Sequence, residues 1–203
     1  MGNNLRVRSR EVRLGIMPGL VAAMCVSLMA QGSPPDGKEW EPGQAYGDFQ
    51  ERVNSYVKLR KNIEKAVPAA KLTDQPEQIK ARKLLLAQKM MVARKDAKRG
   101  EIFSHEATKA FRKQINRTFS GAEGRELRRT ISQGSPVRLR LQVNQTYPED
   151  FPVTTMPPTL LAELPKLPPE VEYRVVGRDL VLQDAELRLI LDFIRGVYPK
   201  PHS

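Results

Sequence analysis

Between residues 148 and 169 the chain carries seven prolines, Pro148, Pro152, Pro157, Pro158, Pro165, Pro168 and Pro169. Proline lacks a backbone donor and fixes φ, so neither a long helix nor a central strand can run through this stretch. A short helical turn fits between them, at Thr159–Leu164. The apolar pattern differs on the two sides of this break. Upstream, apolar residues recur every three or four positions, the period of a helix; downstream they alternate, the period of a strand. That division implies an α+β fold, with two or three basic helices followed by a small antiparallel β-meander.

Three helices are legible upstream. Asp48-x-x-Glu51 has the spacing of a capping box, and Phe49, Val53, Tyr56, Ile63 and Val67 follow as an apolar stripe that Pro68 ends. Asp74-x-x-Glu77 with Pro76 starts a second helix, with Ile79, Leu86, Met90, Ala93 and Ala97 on one face and Gly100 as terminator. Ser104 caps a third, with Ala107, Phe111, Ile115 and Phe119 four residues apart. A fourth, weaker helix fits Gly121–Ser132, where Ser120-x-x-Glu123 repeats the capping spacing and Gly124 weakens the interior.

Val137, Leu139, Leu141 and Val143 alternate with Arg138, Arg140, Gln142 and Asn144, which predicts a half-buried strand with one basic face. Residues Glu172–Phe193 read as a meander. Its strands are Tyr173–Val176, Asp179–Gln183 and Leu187–Phe193, with turns at Gly177-Arg178 and Asp184-Ala185-Glu186. The expected core is Phe49, Val53, Ile63, Ile79, Leu86, Phe111, Ile115, Val175, Leu180, Leu182, Leu189, Leu191 and Phe193.

The first 32 residues have the order of a secretory signal. Arg6, Arg8, Arg10 and Arg13 form a positive start, Leu14–Ala30 is free of charge, and small, polar and helix-breaking residues follow at Gln31–Pro35. Cleavage after Ala30 or Gly32 is expected. An uncleaved single-pass anchor is the alternative, although Gly15, Pro18 and Gly19 interrupt a run that is short for a span of ~20 residues. The rest of the chain is then exported to the periplasm or medium, or held outside the inner membrane by the anchor. Cys25, the one cysteine, lies in this segment behind Met24, which is too large for a lipoprotein signal. A cleaved chain would have no thiol for disulfides, nucleophilic catalysis or metal binding. Ser33–Ala45, with Pro34, Pro35, Pro42 and two glycines, reads as a tether.

Charge is distributed unevenly around the formal net of +11. From Glu51 to Arg140 there are 23 Lys and Arg against 9 Asp and Glu; from Leu141 onward there are 6 against 9. Such asymmetry suits an acidic partner, or attraction between the two parts of the chain. The candidate anionic-ligand face is Lys80, Lys83, Lys89, Arg94, Lys95, Arg99 and Arg112. Nucleic acid is disfavoured as its ligand, because aromatic residues are 6% of the chain and are not interleaved with the cations as a stacking platform requires.

Other chemistry finds little support. His105 and His202 are far apart and lack a second ligand type at helical or strand spacing, so no metal site is expected. Met90-Met91 reads as core filling in a helix stripe. Asp179, Asp184, Glu186 and Asp192 cluster in sequence, but turn chemistry accounts for Asp184, and surface turns seldom perturb a pKa. No Gly-x-Ser-x-Gly elbow, P-loop or dinucleotide fingerprint is present; Gly134-Ser135-Pro136 is a loop. No catalytic residue and no cofactor are therefore assigned.

Three stretches together resemble a family of bacterial exported proteins with no assigned function. They are Asp96–Phe103 with Phe111-Arg112, Thr155–Leu161, and Glu172–Leu182 with Leu189–Ile194. The likeness covers roughly residues 46–199. The terminal strand–Gly–strand–Asp–strand pattern is also similar to the ends of small periplasmic families, one of them implicated in nickel and cobalt homeostasis. The resemblance implies export and brings no catalytic residues.

The expected organisation is a signal peptide or anchor at 1–32, a tether at 33–45, a basic helical region at 46–133 and a small β-meander with its proline-rich connection at 136–199. The expected role is a non-enzymatic interaction or assembly protein of the cell envelope. Its partners would be envelope proteins or an anionic envelope surface; the alternative is an electrostatic binding module for anionic lipid or lipopolysaccharide.

Overall fold

Helix α1 (Pro42–Glu64) opens the chain in the computed structural model, which describes residues 42–69, 75–121, 124–132, 139–148, 151 and 156–198. The expected signal, most of the tether, Asp74, Glu123, Gly134-Ser135-Pro136, Val137-Arg138 and His202 lie outside the described residues. Then come α2 (Pro76–Ala93), α3 (His105–Ser120), α4 (Gly124–Ser132), α5 (Pro158–Ala162), β1 (Val171–Val176), β2 (Asp179–Asp184) and β3 (Ile190–Ile194). The fold is α+β.

Helix α1 starts at Pro42, not at Asp48, and takes in the last four residues of the expected tether. Proline is favourable in a first helical turn. Ala45 also extends the buried stripe of Phe49, Val53 and Tyr56 upstream by one turn. Helix α2 starts at Pro76 with Gln75 as its cap, whose N–H donates to Gln78 Oε1 at 3.3 Å. It stops at Ala93, short of Gly100, because Asn144 Nδ2 donates to the Met91 and Arg94 carbonyls at 2.8 and 3.0 Å and ends the helix from outside. Leu86, Ala87 and Met90 are buried. Ile79, expected in the core, is 40% exposed, since the first turns of α2 run past the core and from Gln75 to Leu85 only Arg82 is not exposed.

Helix α3 agrees with its pattern. Ser104 Oγ accepts the Ala107 N–H at 3.1 Å, and Ala107, Phe111, Ile115 and Phe119 are buried. Helix α4 begins at Gly124, after a short turn that closes α3 at Gly121. A Cβ at residue 124 would lie 1.8 Å from the Phe119 carbonyl oxygen, so glycine is required by the close approach of the two helices.

The three strands form one antiparallel sheet in the order β1-β2-β3. The first turn uses Gly177 at φ 58, as its glycine suggests. Strand β3 starts three residues later than expected and slips in register, because Leu182 pairs with Asp192 while Gln183 pairs with Ile190. Leu191 is the extra residue of a bulge. Leu189, Leu191 and Ile194 join the helix-side core, whereas Ile190 and Phe193 pack on the opposite face.

The main core joins α1, α2 and α3 to one face of the sheet, with Phe49, Phe103, Phe111 and Tyr173 at its centre. The other face is covered by Leu141, Tyr147 and the half-buried Leu139, Val143 and Phe151. The expected strand at 137–144 is therefore corrected. Residues 139–143 form no ladder, although burial alternates from half-buried Leu139 through exposed Arg140 to buried Leu141. Pairing is limited to bonds with residues 188–190, among them Asn144 N–H to Ile190 O and Ile190 N–H to Gln145 O, around an isolated bridge of Thr146 with Leu189.

Candidate functional site

Ionisable residues gather on the seam between helices and sheet. Asp184 closes β2 and is fully buried. Its Oδ1 accepts the N–H groups of Glu186 and Leu187 at 3.0 and 2.7 Å, the turn chemistry its sequence position suggests. Its Oδ2 accepts from Tyr56 Oη at 2.7 Å and Arg60 Nε at 2.8 Å, both on α1. Arg60 reaches Glu186 at 2.5 Å and Glu64 at 2.9 Å with its other nitrogens. Arg82 on α2 binds Glu64 at 2.9 Å. Burial and the neighbouring Asp184 carboxylate push the Tyr56 phenol far above its ordinary value. Asp184 is therefore more than a turn residue, and the reading of it as a surface turn is corrected.

Asp192 is also fully buried. The β3 bulge turns it to the helix side, into the loop after α2. There the N–H groups of Gly100, Ile102 and Phe103 donate to its carboxylate at 2.8–3.1 Å, with the Phe193 N–H at 2.8 Å. Gly100 has φ 91, a conformation that favours glycine. Burial raises the Asp192 carboxyl above its ordinary value, and the four amide donors act against that rise. Both carboxylates were visible in the sequence as acids. Their partners across the seam lie 89 to 128 residues away, and no local pattern points to those.

The seven cations of the expected ligand face do not form one face. Arg94 is buried at the end of α2, where Nη2 donates to the Leu191 carbonyl at 3.2 Å and the guanidinium lies 5.3 Å from the Tyr56 ring centroid. Its Nη1 is buried without a hydrogen-bond partner. Arg99 lies over Phe193, and Arg112 donates to the Arg195 and Gly196 carbonyls, so both sit against the end of β3. Lys80, Lys83, Lys89 and Lys95 are exposed.

Two further features of the helix surface are a cleft and a stripe. The cleft, about 440 Å³, is lined by Arg52, Ser55, Tyr56, Arg94, Asp96 and Glu101 among others. Its polar groups are largely engaged with the protein itself: Arg52 donates to the Glu101 carbonyl, Ser55 to the Glu51 carbonyl and Tyr56 to Asp184. The stripe lies on α2, where Leu84, Leu85 and Val92 are 55%, 39% and 71% exposed on the side turned from Leu86 and Met90. Among the described residues no group of three or more His, Cys, Asp or Glu is placed to hold a metal ion, and no helix is long and apolar enough to cross a membrane.

Comparison of the chain with family models, with curated proteins and with solved structures found no match.

Proposed function

We propose that this chain is an exported, non-enzymatic interaction protein of the cell envelope. The observation that carries this reading is the outer side of α2, where Leu84, Leu85 and Val92 face solvent on a helix whose opposite side already fills the core. A helix with one buried apolar side has no need of a second one for folding. Three exposed apolar side chains on one arc of the helix, with Gln88 between them, support contact with a partner. The signal-like order of residues 1–32 supports an envelope location. The buried acids support the reading from another side: Asp184 and Asp192 are committed to Arg60, Tyr56 and backbone amides that hold helices to sheet.

The test is the location and N-terminus of the natively expressed protein, by fractionation and intact mass, with turnover assayed on the purified chain. A chain that begins near Gln31–Ser33 and resides in the periplasm or medium supports the proposal. A full-length chain in the cytosol overturns it, as does reproducible turnover that a point substitution abolishes.

A further inference from the structure

Resting on that reading, we infer that the outer side of α2 docks on an anionic bilayer surface, with Leu84, Leu85 and Val92 entering the headgroup boundary and lysines holding the phosphates. At 3.6 residues per turn, Leu84, Leu85 and Val92 fall within an arc of roughly 100°. Lys80 lies roughly 40° outside that arc beyond Leu84, and Lys89 roughly 40° outside it beyond Leu85. Lys83, although exposed, falls on the side of the helix that carries Met90 and Ala87, whereas the exposed Lys95 lies just past the end of the helix. An apolar strip with a lysine along each edge lets the lysine stems reach sideways to headgroups while the strip rests on the boundary.

The division of labour between cations supports this placement. The arginines of α1 and α2 that meet the sheet turn inward: Arg60 pairs with Asp184 and Glu186, Arg82 pairs with Glu64, and Arg94 donates to the Leu191 carbonyl. The lysines stay outside. Arginine suits fixed, directional pairing, whereas lysine is a mobile point charge suited to a fluid anionic surface.

Area decides between a bilayer and a second copy of the chain. From Leu84 to Val92 the helix rises roughly 12 Å, and a strip roughly 10 Å wide over that length covers about 120 Å². A stable protein interface buries about 800 Å² per partner. Two copies packed on this strip would also bring their lysines together, which like charge opposes. Reversible membrane docking requires only a modest apolar area combined with several cations.

The experiment is flotation of the natively isolated chain with vesicles of phosphatidylcholine alone and of phosphatidylcholine mixed with phosphatidylglycerol. The expected result is partitioning at least about tenfold stronger onto the anionic vesicles, falling as salt rises. Changing Lys80, Lys89 and Lys95 together to Gln should remove that preference, and Lys83→Gln should leave it in place. Leu84→Ser with Leu85→Ser and Val92→Ser should weaken binding about tenfold or more even at low salt. These variants alter exposed side chains, and an unchanged urea midpoint separates lost docking from lost folding. Equal binding to both vesicles overturns the inference, as does binding untouched by the triple serine change. A concentration-dependent dimer abolished by that change would assign the strip to self-association and also overturn it. Failure to float, in a chain that fractionates with the envelope and shows no turnover, removes this inference and leaves the interaction role standing.

Discussion

Gly100 and Asp192 stand 92 residues apart, and the Gly100 N–H donates to both oxygens of the Asp192 carboxylate, at 3.0 and 3.1 Å. With Ile102 and Phe103 it makes a cradle of amides around a side-chain anion. The loop after α2 takes its shape from this one carboxylate. Asp192→Asn keeps the shape but turns an amide donor towards other donors. It should cost on the order of 2–4 kcal/mol, read as a lower urea midpoint at unchanged m-value.

Arg60 and Asp184 offer a separate test of the seam. Arg60→Met leaves Asp184 buried with Tyr56 and two turn amides as its remaining donors. The loss should be about 3 kcal/mol, the cost of removing one partner from a buried pair. Arg60→Met combined with Asp184→Asn should cost less than the sum of the two single changes. The double-mutant cycle should return a coupling of about 1–3 kcal/mol.

Two carboxylates set the acid limb of stability. A hydrogen bond from Arg82, with Arg60 beside it, holds Glu64 below its ordinary value, and the hydrogen bond from Lys61 holds Glu170 below its own. A depressed folded pKa contributes stability above the ordinary carboxylate value and loses it as pH falls through the depressed one. The thermal midpoint should therefore drop on acidification below the ordinary Glu value of 4.5. Glu64→Gln and Glu170→Gln should each flatten that drop. Asp192 has the opposite sign: its raised carboxyl contributes a loss of stability as pH rises through its folded value.

Gly124→Ala tests sterics against helix propensity. Alanine in place of glycine inside a helix should gain about 1 kcal/mol on propensity alone. The contact with the Phe119 carbonyl reverses the sign, and a net loss of about 1–3 kcal/mol is expected from crowding. Arg125→Ala, at an exposed neighbouring position, should leave the thermal midpoint nearly unchanged.

Patterns that depend on near neighbours were legible in the sequence. Ser104 and the stripe from Ala107 to Phe119 specify α3 completely, and Gly177 with its flanking alternation specifies the first hairpin. Patterns that depend on distant partners were not. The alternation at 139–143 correctly implied an extended chain with one buried side, but alternation does not say whether a neighbouring strand is there to pair. Arg94 looked like part of a solvated helix face because the sequence gives no sign that Asn144 ends α2 one residue earlier. The β3 bulge exchanged Phe193 for Ile194 on the helix side, a slip of register that no period in the sequence encodes. The exposed apolar side of α2 was hidden for a simpler reason. Leu84, Leu85 and Val92 stand among lysines and glutamine, and only the position of the core shows that Leu86 and Met90 face inward while these three do not.

The ion pairs of the seam also govern the order of events during synthesis. The arginine on α1 is made more than a hundred residues before the carboxylates that receive it, and the amide cradle before Asp192. Contacts that span so much chain form late and slowly. Until β2 has left the ribosome, Arg60 has only Glu64 of its own helix as an acid partner, and the amide cradle stays empty until β3 brings Asp192. The seam between helices and sheet therefore closes only once β2 and β3 have both been made.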